Sequence, residues 1–459
     1  GENMEREKLG SRLGFILLSA GCAIGCGNVW KFPTLTGANG GGAFVLLYLI
    51  FLIILGLPVM TMEFSVGRAS QKSPVRFYHT LTPENKGWRA HGYAALVGNL
   101  LLMMFYTVVS GWILYYFISA LTGKLESVTT AAESVKYFSE VNDSPLIMIL
   151  STFAIIILGF FICSFKLDKG LETVTKYMMV ALLVIMIALA VYGFTLNGAA
   201  KGLKFYLVPD FTKITFNVVV SAMNQAFFTL SLGIGSMAIF GSYINKDRSL
   251  LGESVNVIIL DTFVAIVAGL IIFPACFSFG VEPDGGPSLI FQTLPLVFSH
   301  LPGGRIWECL FFLFMTFAAF STVLAVFENI LACFRDIFGW NRIKASIICC
   351  VIMLILSLPC VLSFCVFKTS FAVLDIEDFL VSNILLPIGS LVFVLYCTNR
   401  KHGWGWENFT MEANTGKGLK VKNWMRVYLS YILPIIIFAL FLIGIITFDY
   451  SGNIFDFFK

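Results

Sequence analysis

Two short glycine-rich stretches interrupt runs that are otherwise apolar enough to cross a bilayer. The first, Gly21-Cys22-Ala23-Ile24-Gly25-Cys26-Gly27-Asn28, holds three glycines in seven residues, each costing about 1 kcal/mol against alanine in a helix interior. The second is Thr229-Leu230-Ser231-Leu232-Gly233-Ile234-Gly235. A helix that unwinds in hydrocarbon must find partners for the groups it frees, and open backbone is tolerated only where it is buried in protein or lines a polar cavity. A cation or a small zwitterion is such a partner, so the chemistry on offer is ion and solute binding. Covalent catalysis is not indicated. No His-Glu-x-x-His, phosphate-binding loop or nucleophile elbow occurs, and His79, His91, His300 and His402 are expected in or near loops.

The elements that must hold these stretches are membrane helices. With 459 residues, 58% hydrophobic and 13% charged, the composition is that of a polytopic membrane protein. Eleven segments are long and apolar enough to span, at 12–37, 43–70, 89–123, 144–164, 170–194, 214–243, 252–280, 305–336, 341–363, 374–398 and 426–448. The first is too long for a cleavable signal and lacks a small-residue cleavage site. With the N-terminus cytoplasmic, 22 Lys and Arg fall on the inner side and 9 on the outer. That bias puts the N-terminus inside and, after eleven spans, the C-terminus outside. The formal charge of +4 is this bias rather than a nucleic-acid surface. The cysteines lie mostly within predicted helices at no metal-ligand spacing, as small packing residues do.

Counted from the N-terminus, spans one to five and six to ten form two halves, each opening with an interrupted helix. An odd number of spans inverts the second half against the first, and paired breaks at corresponding positions point to a midplane site in an inverted-repeat transporter. The expected organisation is all-α: a first five-helix repeat at 1–200, a second, inverted repeat at 201–400, and a cytoplasmic linker with an eleventh helix at 401–459. Segments 124–143, 195–213 and 281–304 are long enough to cap an outer entrance. Segment 399–425 is polar and glycine-rich, and reads as a solvated linker.

The motifs Ser11-Arg12-Leu13-Gly14-Phe15, Gly27-Asn28-Val29-Trp30-Lys31-Phe32-Pro33, Asn39-Gly40-Gly41-Gly42-Ala43-Phe44, Gln225 to Gly233 and Ser382-Asn383-Ile384-Leu385-Leu386-Pro387 resemble those of the neurotransmitter:sodium symporter family, and within it the bacterial amino-acid transporters. The resemblance implies two sodium sites. One comprises the Ala23 carbonyl, Asn28, Thr229, Asp261 and the substrate's carboxylate; the other comprises the carbonyls of Gly21, Ile24 and Ala318 with the hydroxyls of Ser321 and Thr322. All-oxygen shells of this kind suit a hard cation. For the substrate it implies Ala23, Gly25, Leu102, Tyr106, Phe228, Thr229, Ser231, Ile234, Val323 and Val326. Gly25 stands where the family's monoamine members carry Asp, which favours an amino acid, and the apolar wall disfavours a charged one.

The same resemblance implies an outer gate of Lys31 and Asp378, and an inner gate of Arg6 and Asp336 with Tyr243. Where Lys31 stands the family usually has Arg, and Lys cannot offer the bidentate fork. Glu63 is expected to brace the unwound part of the first helix. Tyr48, Gln225 and Thr229 hold three positions of the family's chloride site, but Ala265 replaces a hydroxyl-bearing residue and Asp261 replaces a neutral one. The expected function is sodium-coupled, chloride-independent symport of a neutral, hydrophobic or aromatic amino acid across the cell membrane. The rival reading is a non-transporting sensor or chaperone-like subunit of the same fold.

Overall fold

The computed structural model describes residues 6–283, 289–368 and 373–448. Among these residues the chain is helical throughout, with no β-strand. Nine helices are long and apolar enough to cross a membrane: Gly42–Ser70, Lys86–Leu121, Pro145–Cys163, Asp168–Phe194, Leu250–Ser278, Gly304–Phe338, Arg342–Cys365, Val373–Thr398 and Met425–Thr447. A tenth crossing is bent, Arg12–Ala23 and Gly27–Ala38 meeting at 48°. Between Asp168–Phe194 and Leu250–Ser278 lie two shorter helices, Phe216–Thr229 and Ser236–Gly241, separated by an unwound segment. In chain order these are α1 (Arg12–Ala23), α2 (Gly27–Ala38), α3 (Gly42–Ser70), α4 (Lys86–Leu121), α5 (Pro145–Cys163), α6 (Asp168–Phe194), α7 (Phe216–Thr229), α8 (Ser236–Gly241), α9 (Leu250–Ser278), α10 (Gly304–Phe338), α11 (Arg342–Cys365), α12 (Val373–Thr398) and α13 (Met425–Thr447).

Local sequence explains the ends and the interruptions. Ser11 caps α1 by accepting from the Gly14 N–H, and Ser144 caps α5, whose first residue is Pro145, by accepting from Ile147. α1 stops where Ile24 turns extended, at φ −78° and ψ 101°. Between α7 and α8 the backbone takes positive φ at Ser231 (52°), Gly233 (93°) and Gly235 (78°). Left-handed backbone is cheap only for glycine, so Ser231 is held there by its surroundings.

α10 is enclosed and α13 lies at the rim: 78% of the most apolar window of α10 is buried, against 28% for α13. α3 and α8 meet backbone to backbone. A Cβ added at Gly67 would lie 1.7 Å from the Ala238 carbonyl oxygen, and one at Gly241 would lie 2.4 Å from that of Phe64. No side chain fits between these two helices at either point.

Segment 399–425 is not solvated throughout: its first half carries a packed helix, while Lys417, Lys422 and Trp424 are exposed. Residues Trp406–Ala413 form a helix that buries Trp406, Phe409 and Ala413. The reason is Arg68 at the end of α3, which is fully buried and needs a carboxylate; Glu412 supplies one at 2.7 Å, and the Glu412 carbonyl accepts a second guanidinium bond. Residues 284–288 of the outer segment 281–304, and 449–459 at the expected outer C-terminus, lie outside the described residues.

Candidate substrate and ion site

The two interruptions face each other. At the first, Asn28 and Thr229 converge on Asp261 of α9. The Asn28 amide donates to Asp261 Oδ1 (2.9 Å) and to the Asp261 carbonyl (3.0 Å), while the Thr229 hydroxyl lies 3.2 and 3.3 Å from the two carboxylate oxygens. The Gly25 N–H closes the ring on Asn28 Oδ1 at 3.2 Å. All three side chains are essentially inaccessible. Desolvated oxygens collected around one carboxylate form a cation-binding arrangement.

A second oxygen cluster joins α1 to α10. The Thr322 hydroxyl lies within 3.2 Å of the carbonyl oxygens of Gly21, Cys22 and Ile24, and the Ser321 hydroxyl is 2.9 Å from those of Ile24 and Ala318. Every residue of the expected second site is present, with the Cys22 carbonyl in addition. The carbonyls are available because α1 has ended.

Between the clusters is a small cavity of about 10 Å³, walled by Ala23, Gly27, Leu102, Tyr106, Phe228, Ser231 and Thr322, and also by Cys22 and Leu386. The Cys26 N–H donates to the Tyr106 hydroxyl at 2.6 Å, which leaves the phenol proton to point elsewhere. Gly25 is tightly enclosed: an added Cβ would lie 2.1 Å from Thr322 Oγ1 and 2.2 Å from the Tyr106 oxygen. Ile234, Val323 and Val326 are buried but do not line this cavity. Val323 Cγ1 lies toward Gly159 of α5, and the Ile234 carbonyl accepts from Asn99 at 2.8 Å. Leu386 lies within the motif 382–387 and Cys22 within the first glycine-rich stretch, so sequence could have offered both.

The Glu63 expectation is corrected. Its carboxylate accepts from the Gly233 N–H at 2.5 Å, so it braces the second interruption rather than the first. His91 lies near the start of α4. Its Nε2 is 3.2 Å from the Gly233 carbonyl and its Nδ1 is 2.5 Å from the Tyr78 hydroxyl. The carbonyl can only accept, so Nε2 carries the proton and Tyr78 donates to Nδ1. Side chains from α3 and α4 thus replace both hydrogen bonds that the Gly233 peptide loses by unwinding.

A charged pair lies at each end. Lys31 Nζ is 2.8 Å from Asp378 Oδ1 and 2.8 Å from the Ser382 hydroxyl. At the other end Arg6 is 3.1 Å from Asp336 and 3.1 Å from the Ser242 hydroxyl, and lies over the Tyr243 ring at 5.1 Å. Sequence reasoning missed the second layer there: the Tyr243 hydroxyl donates to Glu328 (2.6 Å), which pairs with Arg342 (2.8 Å), itself paired with Glu7 (3.1 Å). The pairs are 85, 14 and 335 residues apart in sequence, and no local pattern links them.

A helical membrane bundle with two opposed helix breaks, each lined by oxygens, defines a transporter of small solutes and ions. Residues 6–140 and 139–457 match the model of the Sodium:neurotransmitter symporter family, and the chain belongs to that family. It is 34% identical to the uncharacterized sodium-dependent transporter YhdH of Bacillus subtilis, over 95% of this chain and 98% of that one. It is 32% identical to an uncharacterized sodium-dependent transporter of Haemophilus influenzae, over 96% and 98%. Among solved structures it resembles MhsT in complex with L-phenylalanine, with a TM-score of 0.87 and 37% identity, covering 95% of this chain and 99% of that one. These relatives are transporters, not enzymes, and the chain is a sodium-dependent, multi-pass membrane transporter.

Proposed function

We propose that the chain couples the movement of sodium into the cell to the uptake of a neutral, hydrophobic or aromatic amino acid, by alternating access and without chloride. The observation that carries this reading is the space around Gly25. Tyr106 and Thr322 crowd that position so closely that no acidic side chain fits, so an amine ligand would find no counter-charge there and the ligand must bring its own carboxylate. Tyr106 has a proton to donate to it. The walls contributed by Leu102 and Phe228 favour an apolar side chain and exclude a charged one by desolvation. The L-phenylalanine bound to MhsT is of this class.

In this reading sodium is cargo at two sites, Ala23, Asn28, Thr229 and Asp261 with the substrate carboxylate, and Gly21, Ile24, Ala318, Ser321 and Thr322. The N-terminus is cytoplasmic, Arg6 and Asp336 close the inner end, and Lys31 and Asp378 close the outer end. The test is binding of radiolabelled phenylalanine to the purified protein in sodium and in choline. Binding confined to sodium, displaced by Leu, Met, Tyr and Trp but not by Asp, Lys or tyramine, is the expected result. Equal binding in both salts, or best displacement by tyramine, overturns it.

A further inference from the structure

At the end of the bundle that carries Arg6 and Asp336, a groove of about 670 Å³ opens between α3 and the starts of α9 and α13. Its walls are apolar, formed by Ile53, Leu57, Pro58, Leu251, Val255 and Leu429. Two π-helical segments border it, Leu52–Gly56 in α3 and Tyr428–Ile432 in α13. A π turn displaces a carbonyl from the regular ladder, and the Tyr428 hydroxyl donates to that of Ile54, pinning α13 to α3 beside the groove. The volume falls in the range of about 300–1,000 Å³ typical of small-molecule sites.

The mouth differs in chemistry from the walls. Residues 414–426 carry Lys417, Lys420, Lys422 and Arg426 and no acidic residue. Lys420 turns inward onto the carbonyls of Asn414 and Gly416 and so ties the loop, while Lys417 and Lys422 are exposed. Trp424, which also lines the groove, is 74% exposed, as suits an indole at a membrane interface.

We propose that this groove binds an anionic phospholipid, with an acyl chain lying along α3 and α13 and the phosphate beside Lys422, which lines the groove, and near Lys417, exposed one residue before the lining begins. Charge complementarity selects the occupant. A zwitterionic lipid gains nothing net from two unshared ammonium groups, and a free anion gains nothing from the apolar walls, whereas a basic cluster abutting a membrane helix attracts anionic headgroups.

The test uses the whole protein in detergent, titrated with phosphatidylglycerol or phosphatidylcholine brominated on the acyl chains, which quench nearby tryptophan. Phosphatidylglycerol should quench at about tenfold lower concentration than phosphatidylcholine, and Trp424→Phe should remove most of that quenching. Lys417→Gln with Lys422→Gln should bring the two lipids level, whereas Lys201→Gln with Lys204→Gln, at the other end of the bundle, should change nothing. Inorganic phosphate at matched concentration should not compete. Equal quenching by both lipids in the wild type, a preference that survives the 417/422 double variant, quenching that persists in Trp424→Phe, or full competition by phosphate each overturns the proposal.

Discussion

The Lys31 ammonium lies 4.0 Å above the centroid of the Phe228 ring while holding Asp378 at 2.8 Å. One cation therefore joins the Lys31–Asp378 ion pair to the aromatic wall of the cavity. A single point of contact replaces the two-pronged grip that an arginine would give, and the ring compensates with a cation–π contact of about 0.5–2 kcal/mol. Lys31→Met removes both contacts. It is expected to speed dissociation of bound substrate about tenfold, read as the off-rate of radiolabel in excess cold ligand, with little change in thermal stability.

Thr322 touches three carbonyls of the α1 terminus and Ser321 touches one of them. Thr322→Ala withdraws one oxygen from the second cluster and leaves the carbonyls in place. The sodium concentration for half-maximal binding should rise about tenfold at unchanged fold, measured by sodium titration at fixed substrate.

Gly233 combines φ +93° with a Cβ position 2.4 Å from the Leu386 carbonyl oxygen. Gly233→Ala meets both backbone strain and a backbone clash, so it should destabilise the fold by about 2–4 kcal/mol and abolish binding. Glu63→Gln keeps an acceptor for the Gly233 N–H, and should cost less in melting temperature than Glu63→Ala.

Glu7 sits before α1, outside the membrane helices. Burial pushes its carboxyl up, but Arg342, the Leu167 N–H and Arg335 together outweigh this and hold it below the ordinary value of 4.5. A folded-state value below the unfolded one means that the contact stabilises fully above pH 4.5 and is lost as the pH falls through the folded value. Glu7→Gln should therefore lower the melting temperature near neutral pH, and the gap to wild type should narrow on acidification below 4.5. A gap that widens in acid contradicts the assignment.

Chloride independence is the outcome expected from the surroundings of Asp261. Tyr48 has a buried hydroxyl without a hydrogen-bond partner among the described residues, but one N–H of the Gln225 amide is committed to the Gly27 carbonyl at 2.8 Å and Ala265 has no hydroxyl to offer. The Tyr48 hydroxyl and the second Gln225 N–H, set beside a carboxylate, make a poor anion site. Uptake should be unchanged when gluconate replaces chloride at constant sodium, and Asp261→Asn with Ala265→Ser should become chloride-stimulated.

The helices were legible because hydropathy is written residue by residue. The reading of 43–70 became Gly42–Ser70, that of 374–398 became Val373–Thr398, and the glycines marked both interruptions. The expectation for Ser321 and Thr322 came with the family resemblance. What stayed hidden were pairings made by the fold alone. Glu63 could be recognised as a carboxylate in need of a partner, but not as the partner of Gly233, 170 residues away. Segment 399–425 looked polar because its burial depends on Arg68, whose charge reads as surface until Glu412 is brought to it.

The contact of α8 with α3 through Gly67 and Gly241 divides the machinery mechanically. Backbones that touch without intervening side chains cannot slide or tilt against each other by changing rotamers, so α8 belongs to whatever body α3 belongs to. α1 is held otherwise: its Gly14 and Gly21 abut the side chains of Glu172 and Thr175, and the chain just before it is tied by the Arg6–Asp336 ion pair and one backbone bond from the Leu9 N–H to the Tyr243 carbonyl. Side-chain contacts can be released one at a time. Of the helix halves that flank the two breaks, α8 is locked to α3 backbone to backbone, whereas α1 rests on side chains of α6.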